Sequence, residues 1–316
     1  MRAEAVLGLW QDRAPEEALL TALAAEEAGF ARLWIGEMAT YDSFALATEI
    51  THRTTRIEPV VGPLAVDVRT PLSIAMGTAT VTSLTGRLTH VALGTSSAVV
   101  VERWHGRART ADASHLDRTA RTVRLLLSGD RDPESGFRLR LPPSASRIHI
   151  AAFGPKAIDV AARTGDCMVA NMVTAPAVAR IREALDRAGG DGVELAAWLV
   201  TAVNPTPEDL AQIRRAAVGY LAVPGYADMF RRAGHGDLVG LARSGAHPRE
   251  VLAAIPDGFE QAVGLVGSSA EVAELWEGYR AAGLDVVCAV PVTASGDAGR
   301  RALGAVAALS GASAGG

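Results

Sequence analysis

A parallel (β/α)8 barrel is the fold this chain predicts, and three observations lead to it. Short, continuously apolar runs alternate with longer periodic stretches along the chain, as strands buried on both faces alternate with helices. Eight such runs, each followed by a helical stretch, match the strand count of the barrel. No run is followed by the G-x-G-x-x-G fingerprint of a doubly wound dinucleotide-binding sheet. At 316 residues and 49% hydrophobic content, the chain can bury one large core of this kind.

The runs lie near Glu4–Trp10 ("EAVLGLW"), Arg32–Glu37 ("RLWIGE"), Arg56–Leu64 ("RIEPVVGPL") and Thr89–Thr95 ("THVALGT"). Four more follow near Arg147–Phe153 ("RIHIAAF"), Asp166–Asn171 ("DCMVAN"), Val193–Val203 ("VELAAWLVTAV") and Asp285–Val292 ("DVVCAVPV"). Among the helices, Pro15 to Ala28 carries acids in its first turn and stops at Gly29, a left-handed cap position. "DSFALATEITHRT" starts at Asp42, a favourable N-cap, and "SSAEVAELWEGYRAAG" opens with Ser268 and Glu271 at capping-box spacing. Thr206 to Ala262 is far longer than one helix needs and is broken at Pro224, Gly225, Gly234 and Gly236. It predicts a helical insertion before strand eight, covering the barrel mouth or forming a subunit interface. The chain reads as one barrel domain over 1–310 with a flexible tail at 311–316.

Composition narrows the function. A net charge of −4 argues against nucleic acid, and no apolar stretch approaches the roughly 18 residues of a membrane span. Glu4 and Asp12 interrupt the N-terminal apolar run, so no signal peptide is expected and the reading is cytoplasmic. Cys167 and Cys288 sit in apolar runs without metal or redox spacing, and the seven histidines form no zinc pattern; no metal is expected. Abundant Ala and Arg with a single lysine suggests a GC-rich genome.

Barrel chemistry collects at the C-terminal ends of the strands, which nominates candidates. They are Trp10 and Gln11 after strand one, Glu37, Met38, Tyr41 and Asp42 after strand two, and Gly62 and Pro63 at strand three. Gly94, Thr95, Ser96 and Ser97 follow strand four, and Phe153, Gly154, Pro155 and Lys156 follow strand five. The last group is a strand end, a Gly-Pro step, a helix start and the chain's sole lysine. Free N–H groups at a helix N-terminus, a residue without Cβ and a point charge together suit a phosphate. An ordinary tight turn with a solvated lysine explains the same residues.

Four blocks, "AEEAGFARLWIGE", "TATVTSLTGRLTHVALGTSS", "IAAFGPKAIDVAARTGD" and "LVGSSAEVAELWEGYRAAGLDVV", resemble in order those of the bacterial-luciferase-like superfamily. The match is nearest to its coenzyme F-420-dependent oxidoreductases of actinobacteria. The resemblance implies a (β/α)8 barrel with an insertion before strand eight and a flavin or deazaflavin over the barrel mouth. By position, Gly62-Pro63 matches a step that is a non-proline cis peptide in relatives. Before proline the cis form costs only about 0.5–1 kcal/mol, so a cis bond is expected here. Gly94, Thr95 and Ser96 match the loop that bonds the cofactor's ring, ribityl chain or phosphate. Phe153, Gly154 and Pro155 match its phosphate-binding turn, with Lys156 beside them.

Two positions depart from the pattern. Many relatives carry an acid followed by histidine after strand two, where this chain has Glu37-Met38. Glu37 remains as an acid whose pKa burial could raise, or as an anchor for an arginine or helix N-termini. Ser97 stands where some sugar-phosphate-oxidising relatives have glutamate, which weakens that activity here. Trp10 and Gln11 are candidate substrate contacts. His105 and Tyr41 follow Glu37 as proton donors; His105 could instead cap a helix. The function implied is hydride transfer between coenzyme F-420 and a small organic substrate, by a homodimer packed through helices near strands two and three. The alternatives are an FMN-dependent monooxygenase of the same superfamily and a non-catalytic cofactor-binding barrel. A Schiff-base role for Lys156 ranks below them, because such nucleophiles usually project from strands.

Overall fold

The computed structural model describes residues 1–10, 12–37, 40–110 and 112–311. Strand β1 (Arg2–Val6) is followed by α1 (Glu17–Glu27), β2 (Arg32–Ile35), α2 (Ser43–Arg53), β3 (Glu58–Ala65), α3 (Pro71–Thr85) and β4 (His90–Gly94). A π-helical turn (Val99–Trp104) leads to α4 (Ala113–Leu127), β5 (Ile148–Ala151), α5 (Pro155–Thr164), β6 (Cys167–Asn171), α6 (Ala175–Arg187) and β7 (Glu194–Val203). Five helices then occupy the predicted insertion: α7 (Pro207–Leu221), α8 (Pro224–Arg232), α9 (Gly236–Arg243), α10 (Pro248–Ala253) and α11 (Phe259–Val263). The chain ends with β8 (Gly264–Gly267), α12 (Ser269–Ala281), β9 (Val286–Pro291) and α13 (Arg300–Ser310). The strand order is β6-β5-β4-β3-β2-β1-β9-β7-β8 with an additional β6–β7 pairing, and the fold class is the parallel (β/α)8 barrel.

Contacts divide the chain into two compact units. One comprises Phe30–Val169 and Glu183–Ala196. Its β2 to β6 pair in parallel through Arg32↔Glu58, Val60↔His90, Val91↔Ile148 and His149↔Cys167. Leu33, Trp34, Ile35, Val60, Val61, Leu93, Ile148 and Ile150 are wholly buried, because these strands are covered on both faces. Two histidines share this core. His90 accepts the Arg147 N–H at Nδ1 (3.0 Å), leaving Nε2 to donate to Glu58 (3.2 Å), so burial holds the ring neutral.

The second unit comprises Met1–Gly29, Ala170–Arg182 and Ala197–Gly316. β1 pairs with β9 (Arg2↔Val286), and β7 pairs with β8 (Val200↔Gly264). The insertion has its own small aromatic core, with Phe230 stacked on Phe259 at 5.2 Å and His235 edge-on to Phe259 at 5.1 Å. Local signals set the helix ends: Asp42 caps α2, and Thr206–Asp209 and Ser268–Glu271 close capping boxes on α7 and α12. Cys167 and Cys288 are free and buried, as read from the sequence. No helix among the described residues is long and apolar enough to cross a membrane.

Two expectations need correction. The first strand ends at Val6, not Trp10: Leu7 stays buried, but Leu9 is left-handed (φ 45°), which a strand cannot hold. Among the described residues a ninth strand joins the eight expected, because the short run Gly264–Gly267 also pairs, on the end of β7.

The tightest local constraint lies between β3 and β4. The Gly62–Pro63 bond is cis, as expected, and the ladder shifts register between Val61 and Leu64. Gly62 has φ 118°, and a Cβ there would lie 2.3 Å from the Ala92 carbonyl oxygen. Gly62→Ala therefore combines a forbidden conformation with a backbone clash. It should destabilise the protein by at least about 2 kcal/mol, read as a lower thermal unfolding midpoint than that of Gly154→Ala.

Candidate active site

In the unit built from Phe30–Val169 and Glu183–Ala196, the polar groups after the strands gather in three groups. The first is a clamp on Arg69. Its Nε donates to both Glu37 carboxylate oxygens (3.1 and 2.9 Å), and its Nη2 bonds Glu37 and Asp42. The Ser43 hydroxyl donates to Glu37 Oε1 (3.2 Å), and the guanidinium lies 5.3 Å from the Phe44 ring centroid. The sequence allowed Glu37 two roles, and the geometry favours the anchor. Both oxygens already accept, so proton donation would require releasing Arg69. The paired acids push the Arg69 guanidinium up.

The second group is the turn after β4. A Cβ on Gly94 would stand 3.2 Å from the Ala151 Cβ and 3.7 Å from the Pro63 Cβ, so the ends of β3, β4 and β5 meet there. Thr95 is part-buried, and Ser96 is left-handed (φ 54°) with its carbonyl accepting from Arg109 Nε (3.0 Å). Ser97 Oγ accepts from the Val100 N–H (3.3 Å), and Thr110 bonds Asp67 through its N–H (3.1 Å) and hydroxyl (2.7 Å). The loop is thus tied at both ends. His105 closes the intervening π-helical turn, exposed, with its N–H donating to the Glu102 and Val100 carbonyls.

The third group is the turn after β5. Gly154 is the N-cap of α5 without a side-chain cap, and Pro155 occupies the first turn. The Ala157 and Ile158 N–H groups both return to the Gly154 carbonyl (3.0 Å each). Gly154, Pro155 and Lys156 are exposed, Phe153 is part-buried, and a Cβ on Gly154 would meet nothing within 4 Å. Its conformation (φ −94°, ψ 161°) is open to any residue, so folding does not require glycine here.

Tyr41 is part-buried and, like His105, makes no side-chain hydrogen bond among the described residues. In the other unit, Trp10 donates its indole N–H to the Pro291 carbonyl (3.0 Å), which commits its polar edge to structure. Gln11 and Met38 lie outside the described residues. Sequence reading missed Arg69, whose only local signal is its place just before the Thr70 helix cap. It also missed Tyr220 and Tyr226, whose rings come together in the second unit.

Backbone strain marks several strand ends, one of them the turn after β4. Among the described residues, the non-glycine positions with positive φ are Leu9, Ser96, Met172, Asn204 and Ala298, each in a segment after a strand. Such strain tends to cluster at functional sites. A cavity of about 560 Å³ in the second unit, by contrast, is lined by Thr174 and from α6, α8, α11 and α12, with no strand residue.

Residues 4–286 match the luciferase-like monooxygenase family. The chain belongs to that family. No curated protein sequence matches it. Among solved structures, this luciferase-like chain resembles an F-420-dependent secondary alcohol dehydrogenase in complex with an F-420–acetone adduct (18% identity, TM-score 0.74, covering 96% of this chain and 98% of that one). It is also similar to the coenzyme F-420-dependent tetrahydromethanopterin reductase of Methanopyrus kandleri (16%, 0.76, 97% and 98%). A third is the oxygenating constituent of 3,6-diketocamphane monooxygenase of Pseudomonas putida, in complex with FMN (14%, 0.68, 99% and 98%). At these identities the likeness speaks to the fold.

The Arg69 clamp has a pH signature. Burial works to raise the Asp42 carboxyl, but the Ala45 N–H, Arg69 and the Phe44 N–H outweigh it and hold it below its ordinary range. A depressed carboxylate stabilises the fold above its unfolded pKa and loses that contribution as pH falls through its folded pKa. Asp42→Asn keeps a capping side chain but not the charge. It should be about 0.5–1 kcal/mol less stable than wild type at pH 7, with the gap closing under acid; denaturant titrations at both pH values read this.

Proposed function

We propose that this luciferase-like protein is an oxidoreductase acting with coenzyme F-420 on a small organic substrate. The observation that carries the reading is the turn after β5: an uncapped, exposed helix N-terminus, open space at Gly154 and the chain's sole lysine. The positive dipole end of α5, with a cation beside it, suits a phosphate monoester or diester. The strained Thr95–Ser96 turn adds backbone and hydroxyl donors for the ribityl chain or ring. The Gly62-Pro63 bulge, Gly94 and Ala151 offer a side-chain-poor wall for a flat ring. The two F-420-dependent enzymes overlay on this chain with TM-scores of 0.74 and 0.76, against 0.68 for the FMN-bound monooxygenase, which supports the deazaflavin.

When bound, the reduced deazaflavin supplies a hydride equivalent to an organic acceptor. The chain's own contribution is to hold the phosphate at Gly154–Lys156, to pin the β4 turn through Arg109 and Asp67, and to keep Glu37 fixed by Arg69. Glu37 is then a positioning residue, linking the ends of β2 and β3 to the start of α2.

Parallel titrations of the full chain with oxidised F-420 and with FMN, followed by fluorescence, test the reading. F-420 should bind more tightly. Gly154→Leu, which fills open space without clash, should weaken F-420 by about tenfold or more while leaving the thermal midpoint unchanged. Tighter binding of FMN would move the protein to the monooxygenase reading, and binding of neither would remove the cofactor assignment.

A further inference from the structure

The cavity of about 560 Å³ lies wholly within the unit built from Met1–Gly29, Ala170–Arg182 and Ala197–Gly316, and it has no part in the chemistry proposed above. One face of α12 lines it through residues at helical spacing: Glu271, Glu274, Leu275, Gly278 and Tyr279. Helices α6 and α8 bring Arg180 and Arg232, and Met229 adds to the apolar lining. A volume of this size, mostly apolar with a few charged groups, is that of a small-molecule site. Gly278 keeps part of the space open. A Cβ there would meet nothing within 4 Å, so the packing of the fold does not require glycine, and a glycine inside a helix lowers stability relative to alanine.

We infer that this cavity binds a monocarboxylate carried on an apolar, aryl-sized body. The charges decide the head group. The Arg180 and Arg232 side chains make no hydrogen bond or ion pair among the described residues, whereas Arg231 pairs with Asp228 and Arg182 with Asp285. Of the two carboxylates in the lining, Glu271 already accepts the Ser268 N–H (2.7 Å) in the capping box, at the positive end of α12. Glu274 is unpaired among the described residues. Two open guanidiniums against one open carboxylate leave a surplus of one positive charge. A monoanion matches that surplus, and a phosphate dianion would exceed it. The planar guanidinium fork also fits the two oxygens of a carboxylate. The body follows from the apolar lining. The Met229 thioether suits the edge of an aromatic ring, and Leu275 adds aliphatic surface. The Tyr279 hydroxyl is already given to the Val173 carbonyl (2.6 Å), so what it offers a ligand is its ring. The site stands independently of the cofactor reading.

The test uses the full chain, 3-phenylpropionate as the probe and 3-phenylpropan-1-ol as its uncharged counterpart, with binding read by calorimetry or ligand-observed NMR. Wild type should bind the carboxylate about tenfold more tightly than the alcohol. Arg180→Gln and Arg232→Gln should each weaken the carboxylate by about three- to tenfold and leave the alcohol unchanged. Glu274→Gln removes the repelling charge and should tighten the carboxylate by about twofold. Gly278→Leu fills the open space. It should weaken both probes by about tenfold or more while the thermal midpoint holds or rises, because leucine is the better helix former. No carboxylate binding by wild type, or equal affinity for the two probes, would overturn the inference. So would arginine variants that bind the carboxylate as wild type does, or undiminished binding by Gly278→Leu, which would put the probe elsewhere on the protein. Both arginines are exposed, so their variants keep the fold and decide the matter if Gly278→Leu does not fold.

Discussion

Parallel pairing is the constraint from which the rest follows. A parallel neighbour cannot be reached by a tight turn, so each strand must be followed by a crossover that covers a face of the sheet. The strands are buried on both sides as a result, and their polar connections collect beyond their C-terminal ends. The unit built around Phe30–Val169 shows this directly. β2 through β6 pair in parallel, Glu37 and Gly154 follow strands, Gly94 ends one, and the Gly62-Pro63 step lies in the C-terminal half of β3. A register shift falls at Val61/Leu64, where only a residue without Cβ fits against the Ala92 carbonyl.

The fold was legible because its signals are local. Continuous apolar runs mark strands covered on both faces, and Asp42 and Ser268–Glu271 mark helix starts through bonds spanning two or three residues. The errors have equally local causes. The run through Trp10 stays apolar after the ladder stops, because Leu7 is buried by packing rather than by pairing. The strand Gly264–Gly267 is four residues long with glycine at both ends, too short to separate from the cap of the next helix.

The candidate site was legible only where backbone chemistry restricts it. Gly62 and Gly94 stand out because a turn or a close approach favours a residue without Cβ, and Gly154 because it opens a helix beside the sole lysine. The partners of those residues do not stand out. Arg69 meets Glu37 across 32 positions, a pairing that no spacing rule anticipates. Glu37 illustrates the consequence: its residue type suggested an acid, and nothing in the sequence signalled that Arg69 would hold both its oxygens.

Family membership sets the class of chemistry, and the turn after β5 turns it into a claim about this chain: that Gly154–Lys156 holds a cofactor phosphate. The most direct measurement compares the affinity of the full chain for oxidised F-420 with that for the same deazaflavin riboside lacking its phosphate tail. The account predicts that removing the tail weakens binding by about tenfold or more, and that Lys156→Ala narrows the gap. Equal affinity for the two compounds, unaffected by Lys156→Ala, would contradict it.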